Sequence, residues 1–118
     1  MNETRARQIV AAERARIESM LAAVTGEIRA DGRLQRQQTG EYADAGTTVE
    51  TETVALALEA DLRSQLLDVA RAEQRIEAGT YGRSVESGSA IPDERLEVEP
   101  LAERTVEEQR SLEHARTR

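Results

Sequence analysis

Cysteine, phenylalanine, tryptophan and lysine are all missing from this 118-residue chain, and each absence removes a class of structure or chemistry. Without cysteine there is no disulfide framework, no redox thiol and no thiolate metal centre. Two tyrosines are the only aromatics, so a broad three-dimensional core cannot be filled, because large rings supply much of the buried area in such cores. No apolar run approaches the roughly 18 residues that span a bilayer. The N-terminal stretch MNETRARQIVAAERARIESM also lacks the apolar heart of a signal peptide. The sequence therefore reads as cytoplasmic, with no membrane partner. Positive charge is in deficit: 16 arginines face 23 acids, for a net charge of -7. That balance argues against attraction to a nucleic-acid backbone. It suits solubility, a basic protein surface or a metal-bearing cleft.

What is present is helical material. Ala, Glu, Arg and Leu dominate, with 38% hydrophobic and 33% charged residues, a mix that fits long helices packed along narrow seams. Asn2 or Thr4 caps a first helix expected to run to about Gln38. Its apolar residues Ile17, Met20, Leu21, Val24 and Ile28 recur at three- and four-residue steps and form one stripe. Gly26 and Gly32 weaken it locally, each by about 1 kcal/mol relative to Ala. The polar stretch RLQRQQTGEYADAGTT then breaks the pattern, with Gly40 and Gly46 favouring a turn. A second helix is expected from Thr47 or Thr48, with Glu50 and Glu52 in its first turns where the helix dipole favours acids. Val54, Leu58, Leu62, Leu66, Val69 and Ile76 make its coiled-coil-like seam, and Ala78-Gly79 ends it. About 30 helical residues span about 45 Å. The short connection favours an antiparallel hairpin within one chain over pairing of the stripes between two chains, and hence a monomer.

From Gly79 the texture changes. Tyr81, Ile91, Leu96, Val98, Leu101 and Val106 are scattered among Gly, Ser and Pro, without helical period until about Ala102. The segment after Pro100 reads as a short terminal helix. The expected organisation is a hairpin over residues 1–78, with its tip near 40–47, followed by a small module over 79–118.

The module carries the most specific pattern in the chain. Gly79, Tyr81, Gly82, Gly88, Ile91, Arg95, Leu96, Pro100 and Ala102 stand in register with the C-terminal zinc-finger module of the DksA/TraR family of bacterial transcription factors, which this segment resembles. That family's pattern is approximately G-x-Y-G-x-C-x-x-C-G, then I, R-L, P-x-A and C-x-x-C. The four cysteine positions read Ser84, Ser87, Thr105 and Glu108 here. Neutral hydroxyls are poor zinc ligands and one carboxylate cannot complete a tetrahedral structural site. The expectation is therefore a mainly α protein with a zinc-finger-like module that holds no metal and needs no cofactor. The scattered apolar set does the holding, Ser84, Ser87 and Thr105 hydrogen-bond the turns, and Arg95 and Arg104 pair with neighbouring acids. His114 lies outside the pattern.

The resemblance extends upstream. The family's hairpin tip bears D-x-x-D-x-A, which falls without gaps on Glu41, Asp44 and Gly46. The resemblance implies a regulator that binds RNA polymerase, not DNA, with the hairpin entering the secondary channel and the acidic tip approaching the basic, Mg-containing catalytic region. Where alarmone-responsive members place cations, this chain has Asp68, Glu99 and Gln109, and two acids there would repel phosphates; no ppGpp site is expected. No nucleotide loop, supported catalytic triad or buried acid pair argues for an enzyme. The other reading is a structural or adaptor coiled coil that has lost polymerase binding along with its zinc.

Overall fold

The computed structural model describes residues 1–37 and 45–117, with side chains for 1–30 and 50–117. Four helices follow one another: α1 (Glu3–Gln37), α2 (Ala45–Ala78), α3 (Asp93–Val98) and α4 (Val106–Arg116). The two long ones form the hairpin. Among the described residues no strand occurs, and an isolated antiparallel bridge joins Arg83 to Ala90. No helix among the described residues is long and apolar enough to cross a membrane.

Asn2 starts α1: its Oδ1 accepts the Arg5 N–H at 2.7 Å, satisfying one of the amides that a helix start leaves open. The buried residues of the long helices then recur every seven positions. Val10, Ile17 and Val24 are buried on α1, and Leu62, Val69 and Ile76 on α2. A seven-residue repeat keeps one narrow seam facing its partner, as in coiled coils. Such a seam needs no aromatic side chain.

The chain divides into two compact units, Met1–Glu13 with Asp68–Arg118, and Arg14–Leu67. In the first, Ala6, Ile9 and Val10 of α1 and Val69, Ala72 and Ile76 of α2 are buried with Ile91 and Leu96 of the C-terminal segment. The Arg5 guanidinium makes a two-pronged pair with Glu97 (2.8 and 2.6 Å). Arg7 reaches both Glu3 (2.6 Å) and Glu77 (3.3 Å). In the second unit Ile17, Val24 and Leu62 are buried, whereas Val54, Leu56 and Leu58 are exposed.

The chain leaves α2 through a left-handed Gly79 (φ 76°), a conformation costly for any residue with a Cβ. The Thr80 and Tyr81 amides then donate to the Arg75 carbonyl at 2.8 and 3.1 Å.

Several expectations need correction. The seam of α2 does not bury Val54 (69% exposed) or Leu58 (46%), and on α1 Met20 is exposed. Periodicity identifies a face but not whether a partner covers it. Val98 (80%) and Val106 (37%) are likewise exposed and do not help hold the module. The stretch before Ala102 is not devoid of helix, because α3 forms directly after Pro92 with Asp93 and Glu94 in its first turn. The terminal helix starts only at Val106, since Thr105 serves as its cap. The start of α2, Ala45, precedes the expected Thr47 by two residues.

Because Leu62 is 1% exposed and Leu56 49%, Leu62→Ala should lower the unfolding free energy by about 2–5 kcal/mol. Leu56→Ala should change it by less than about 0.5 kcal/mol. Urea titrations followed by far-ultraviolet circular dichroism separate the two; equal losses would mean the seam is misplaced.

Candidate functional site

The four positions singled out in the C-terminal segment, Ser84, Ser87, Thr105 and Glu108, are brought together. They come from two turns. The first, over 84–89, closes through the Ser84 amide donating to the Ser89 carbonyl (2.8 Å) and the Gly88 amide donating to the Ser84 carbonyl (3.0 Å). Gly88 has φ 76°, so the tightness of this turn requires glycine. Inside it the Ser84 hydroxyl, in a residue only 5% exposed, accepts the amides of Glu86 (3.1 Å) and Ser87 (3.3 Å). The Ser87 hydroxyl accepts the Ser89 amide (3.2 Å). Burial of a small polar side chain is tolerable here because its oxygen is satisfied.

The second turn opens α4. Thr105 Oγ1 accepts the Glu108 amide (3.2 Å) and Glu108 Oε1 accepts the Thr105 amide (3.0 Å). This is a reciprocal capping box. The Thr-x-x-Glu signature of such a box stands in the sequence at Thr105 to Glu108. Glu108 is also where the turns meet. The Thr105 amide first, then the hydroxyls of Ser84 and Ser87, hold its carboxyl at about 2, well below the usual carboxylate value. Hydrogen bonds donated to an ionised carboxylate stabilise that form.

These residues do not suit zinc. Their oxygens are already engaged as acceptors of backbone amides, three of the four groups are neutral hydroxyls, and the only charge is a single carboxylate. A structural zinc site needs four strong donors, usually thiolate or imidazole. Among the described residues no group of three or more His, Cys, Asp or Glu side chains could hold a metal ion.

The remaining framework residues surround this node. Tyr81 donates its hydroxyl to the Pro100 carbonyl (2.7 Å), and burial pushes its pKa up to about 12. The Ile91 amide donates to the Gly82 carbonyl (2.7 Å). Arg95 donates from Nε to the Arg104 carbonyl (3.0 Å) and pairs with Glu99 (3.1 Å). Arg104 pairs with Glu86 (2.9 Å), so both expected arginine pairings occur. Leu96 is 1% and Ile91 3% exposed, completing the small apolar floor.

Glu103 was not foreseen. Its carbonyl accepts the Val85 amide (2.9 Å), and its carboxylate meets Arg71 (3.1 Å) and Arg75 (3.8 Å) of α2. Arg71 also pairs with Asp68. Partners this far apart in sequence leave no local spacing signal. Burial lowers the Arg75 pKa, partly offset by Glu103. Asp68, Glu99 and Gln109, the positions weighed for an alarmone, are engaged with Arg71, Arg95 and Glu113 respectively. Of the expected tip, Gly46 falls in the first turn of α2, while Glu41 and Asp44 lie outside the described residues.

Comparison with known proteins gives the fold a context. The structure of transcription factor DksA2 from Pseudomonas aeruginosa superposes with a TM-score of 0.82, at 22% identity, over 98% of this chain and 86% of that one. The fold is DksA-like. General stress protein 16O of Bacillus subtilis (strain 168) is 38% identical over 82 residues, which are 70% of this chain and 50% of that protein. The chain thus matches about half the length of this relative. No protein-family model matches.

The depressed Glu108 pKa fixes a pH dependence. A carboxyl at about 2 in the folded chain against an ordinary 4.5 adds stability above about 4.5, lost as pH falls toward about 2. Glu108→Gln keeps the shape and removes the charge. It should therefore unfold more readily than the wild type near neutral pH, with the gap closing as pH drops through that window. Thr105→Ala, which removes the cap, should cost about 1 kcal/mol. A Glu108→Gln deficit that does not change with pH, in denaturant titrations across the range, would contradict the charge-based account.

Proposed function

We propose that the chain is a zinc-free regulator of the DksA/TraR type that binds RNA polymerase in its secondary channel and modulates initiation. One observation carries the reading. Ser84, Ser87, Thr105 and Glu108, which fall where the family pattern has its four cysteines, converge on a single node within a DksA-like fold. A chance match of glycines and prolines has no reason to gather those four positions. The node does with hydrogen bonds what a tetrahedral metal does in a small module: it ties the 84–89 turn to the start of α4.

The mechanism follows from the hairpin. A helical pair of this length reaches into a pore, and carboxylates carried at its end favour a basic, Mg-containing site. Glu41 and Asp44, with Gly46, are the residues assigned to that contact. Binding there alters initiation by favouring one polymerase conformation over another. The protein acts as a cytoplasmic monomer, makes no direct contact with nucleic acid, catalyses no reaction itself and uses no cofactor. Acids at Asp68 and Glu99 make it independent of ppGpp. A structural or adaptor coiled coil without polymerase affinity is the competing outcome of the test below.

The full chain should co-purify with core RNA polymerase, compete with a secondary-channel cleavage factor, and contain no stoichiometric zinc by mass spectrometry. Glu41→Asn combined with Asp44→Asn should leave helicity intact and abolish the transcriptional effect, and added ppGpp should produce no synergy. Absence of both association and competition would defeat the polymerase reading. Survival of the effect in the double variant would remove the tip assignment alone.

A further inference from the structure

The unit Arg14–Leu67 carries a recess of about 360 Å³ that the seam leaves open. Val24, Val54, Ala55 and Leu58 line its floor and Glu27 and Glu50 stand at its edge. Val54 and Leu58 are 69% and 46% exposed although they continue the register of the buried Leu62. Burying them on a partner would be favourable, and a helix face that keeps the coiled-coil pattern without covering it marks a contact surface.

The two charged residues that line this recess, Glu27 and Glu50, are both acidic. On the α2 side the charged residues from Glu50 to Leu62 are Glu50, Glu52, Glu59 and Asp61, with no arginine or histidine among them. An acidic edge around an apolar floor selects an occupant with the opposite arrangement.

We infer that this recess is a second docking site for polymerase, one that receives an apolar side chain flanked by arginine or lysine on a protein segment. The inference rests on the polymerase reading and adds to it a contact separate from Glu41 and Asp44. It also assigns a role to Glu27 and Glu50, which the resemblance leaves without one. Apolar burial gives this contact its affinity, and the acids give it selectivity and a salt dependence.

Because the chain has no cysteine, Val54→Cys creates a unique thiol for a benzophenone crosslinker on the full-length protein. With core RNA polymerase it should crosslink to a polymerase peptide that holds an apolar residue between basic ones. In parallel, Val54→Ser with Leu58→Ser should weaken polymerase binding by about tenfold or more with circular dichroism unchanged. Glu27→Arg with Glu50→Arg should weaken it similarly and flatten its dependence on salt. If the wild type binds and these variants bind equally well, the inference is overturned while the polymerase reading stands. A crosslink to an acidic polymerase peptide, or to a second copy of this chain, also overturns it. If the wild type does not bind polymerase at all, both fall together.

Discussion

The carboxylate of Glu108 is the contact on which the C-terminal segment depends. That segment has little else at its disposal: of its side chains, Ile91, Leu96 and Ser84 are the ones buried among the described residues. Two aliphatic side chains contribute about 3–6 kcal/mol of burial between them, against an ordering cost of about 1–2 kcal/mol for each backbone residue fixed. Polar cross-links must therefore carry part of the organisation. They are arranged so that each turn is satisfied internally, Ser84 within 84–89 and Thr105 at the start of α4, before the carboxylate joins them. Glu86 with Arg104, and the Val85 amide with the Glu103 carbonyl, repeat the same connection from outside. Exposed ion pairs alone would add little. Their value here is that they lie across the same two turns.

The long helices meet a different constraint. With no Phe or Trp available, the seam is made of Ile, Val, Leu and Ala, and the seven-residue spacing of Val10, Ile17 and Val24, and of Leu62, Val69 and Ile76, keeps those small groups facing inward. The compact unit containing the C-terminal segment also includes Met1–Glu13, so the start of α1 is part of the support for that segment. The Met1 amine on Asp93 and Arg5 on Glu97 fasten it to that segment, and Arg7 on Glu77 ties α1 to α2. A segment with so small a floor of its own gains most of its rigidity from the helix ends packed with it.

Sequence periodicity recovered the two long helices to within about two residues at each end, because a stripe at three- and four-residue steps has one structural meaning over this length. It missed Ala6, Ile9 and Val10 as core, since the first turns of α1 read as Ala, Arg and Glu and the apolar residues among them are few. It counted Val98 and Val106 among the apolar side chains that hold the module, but composition does not say which face is covered, and both are exposed. The site was legible in a different way. The four positions were found from spacing to a known pattern, and the hydroxyls' role in the turns followed from their chemistry. Glu108 was read only as a failed ligand. Its real partners, the Thr105 amide and two serine hydroxyls, are settled by three-dimensional closure that no spacing encodes. The same holds for Glu103, whose arginine partners lie on α2.

Replacing coordination by hydrogen bonds changes what the module responds to, on the reading that its frame descends from a metal site. A thiolate-held zinc makes stability depend on metal supply, on the redox state of sulfur and on protonation of the thiolates. A hydroxyl–carboxylate node has none of the first two dependences and keeps a version of the third, moved to acid pH by the donors that surround Glu108. Each turn closes on its own: the serine turn needs no metal to satisfy the Ser84 oxygen, and the capping box needs none to start α4. The two turns are held by ordinary turn and cap chemistry, with one charge at the centre. A segment held by hydroxyls and one carboxylate has no thiolate to oxidise, so its closure does not depend on the redox state of sulfur.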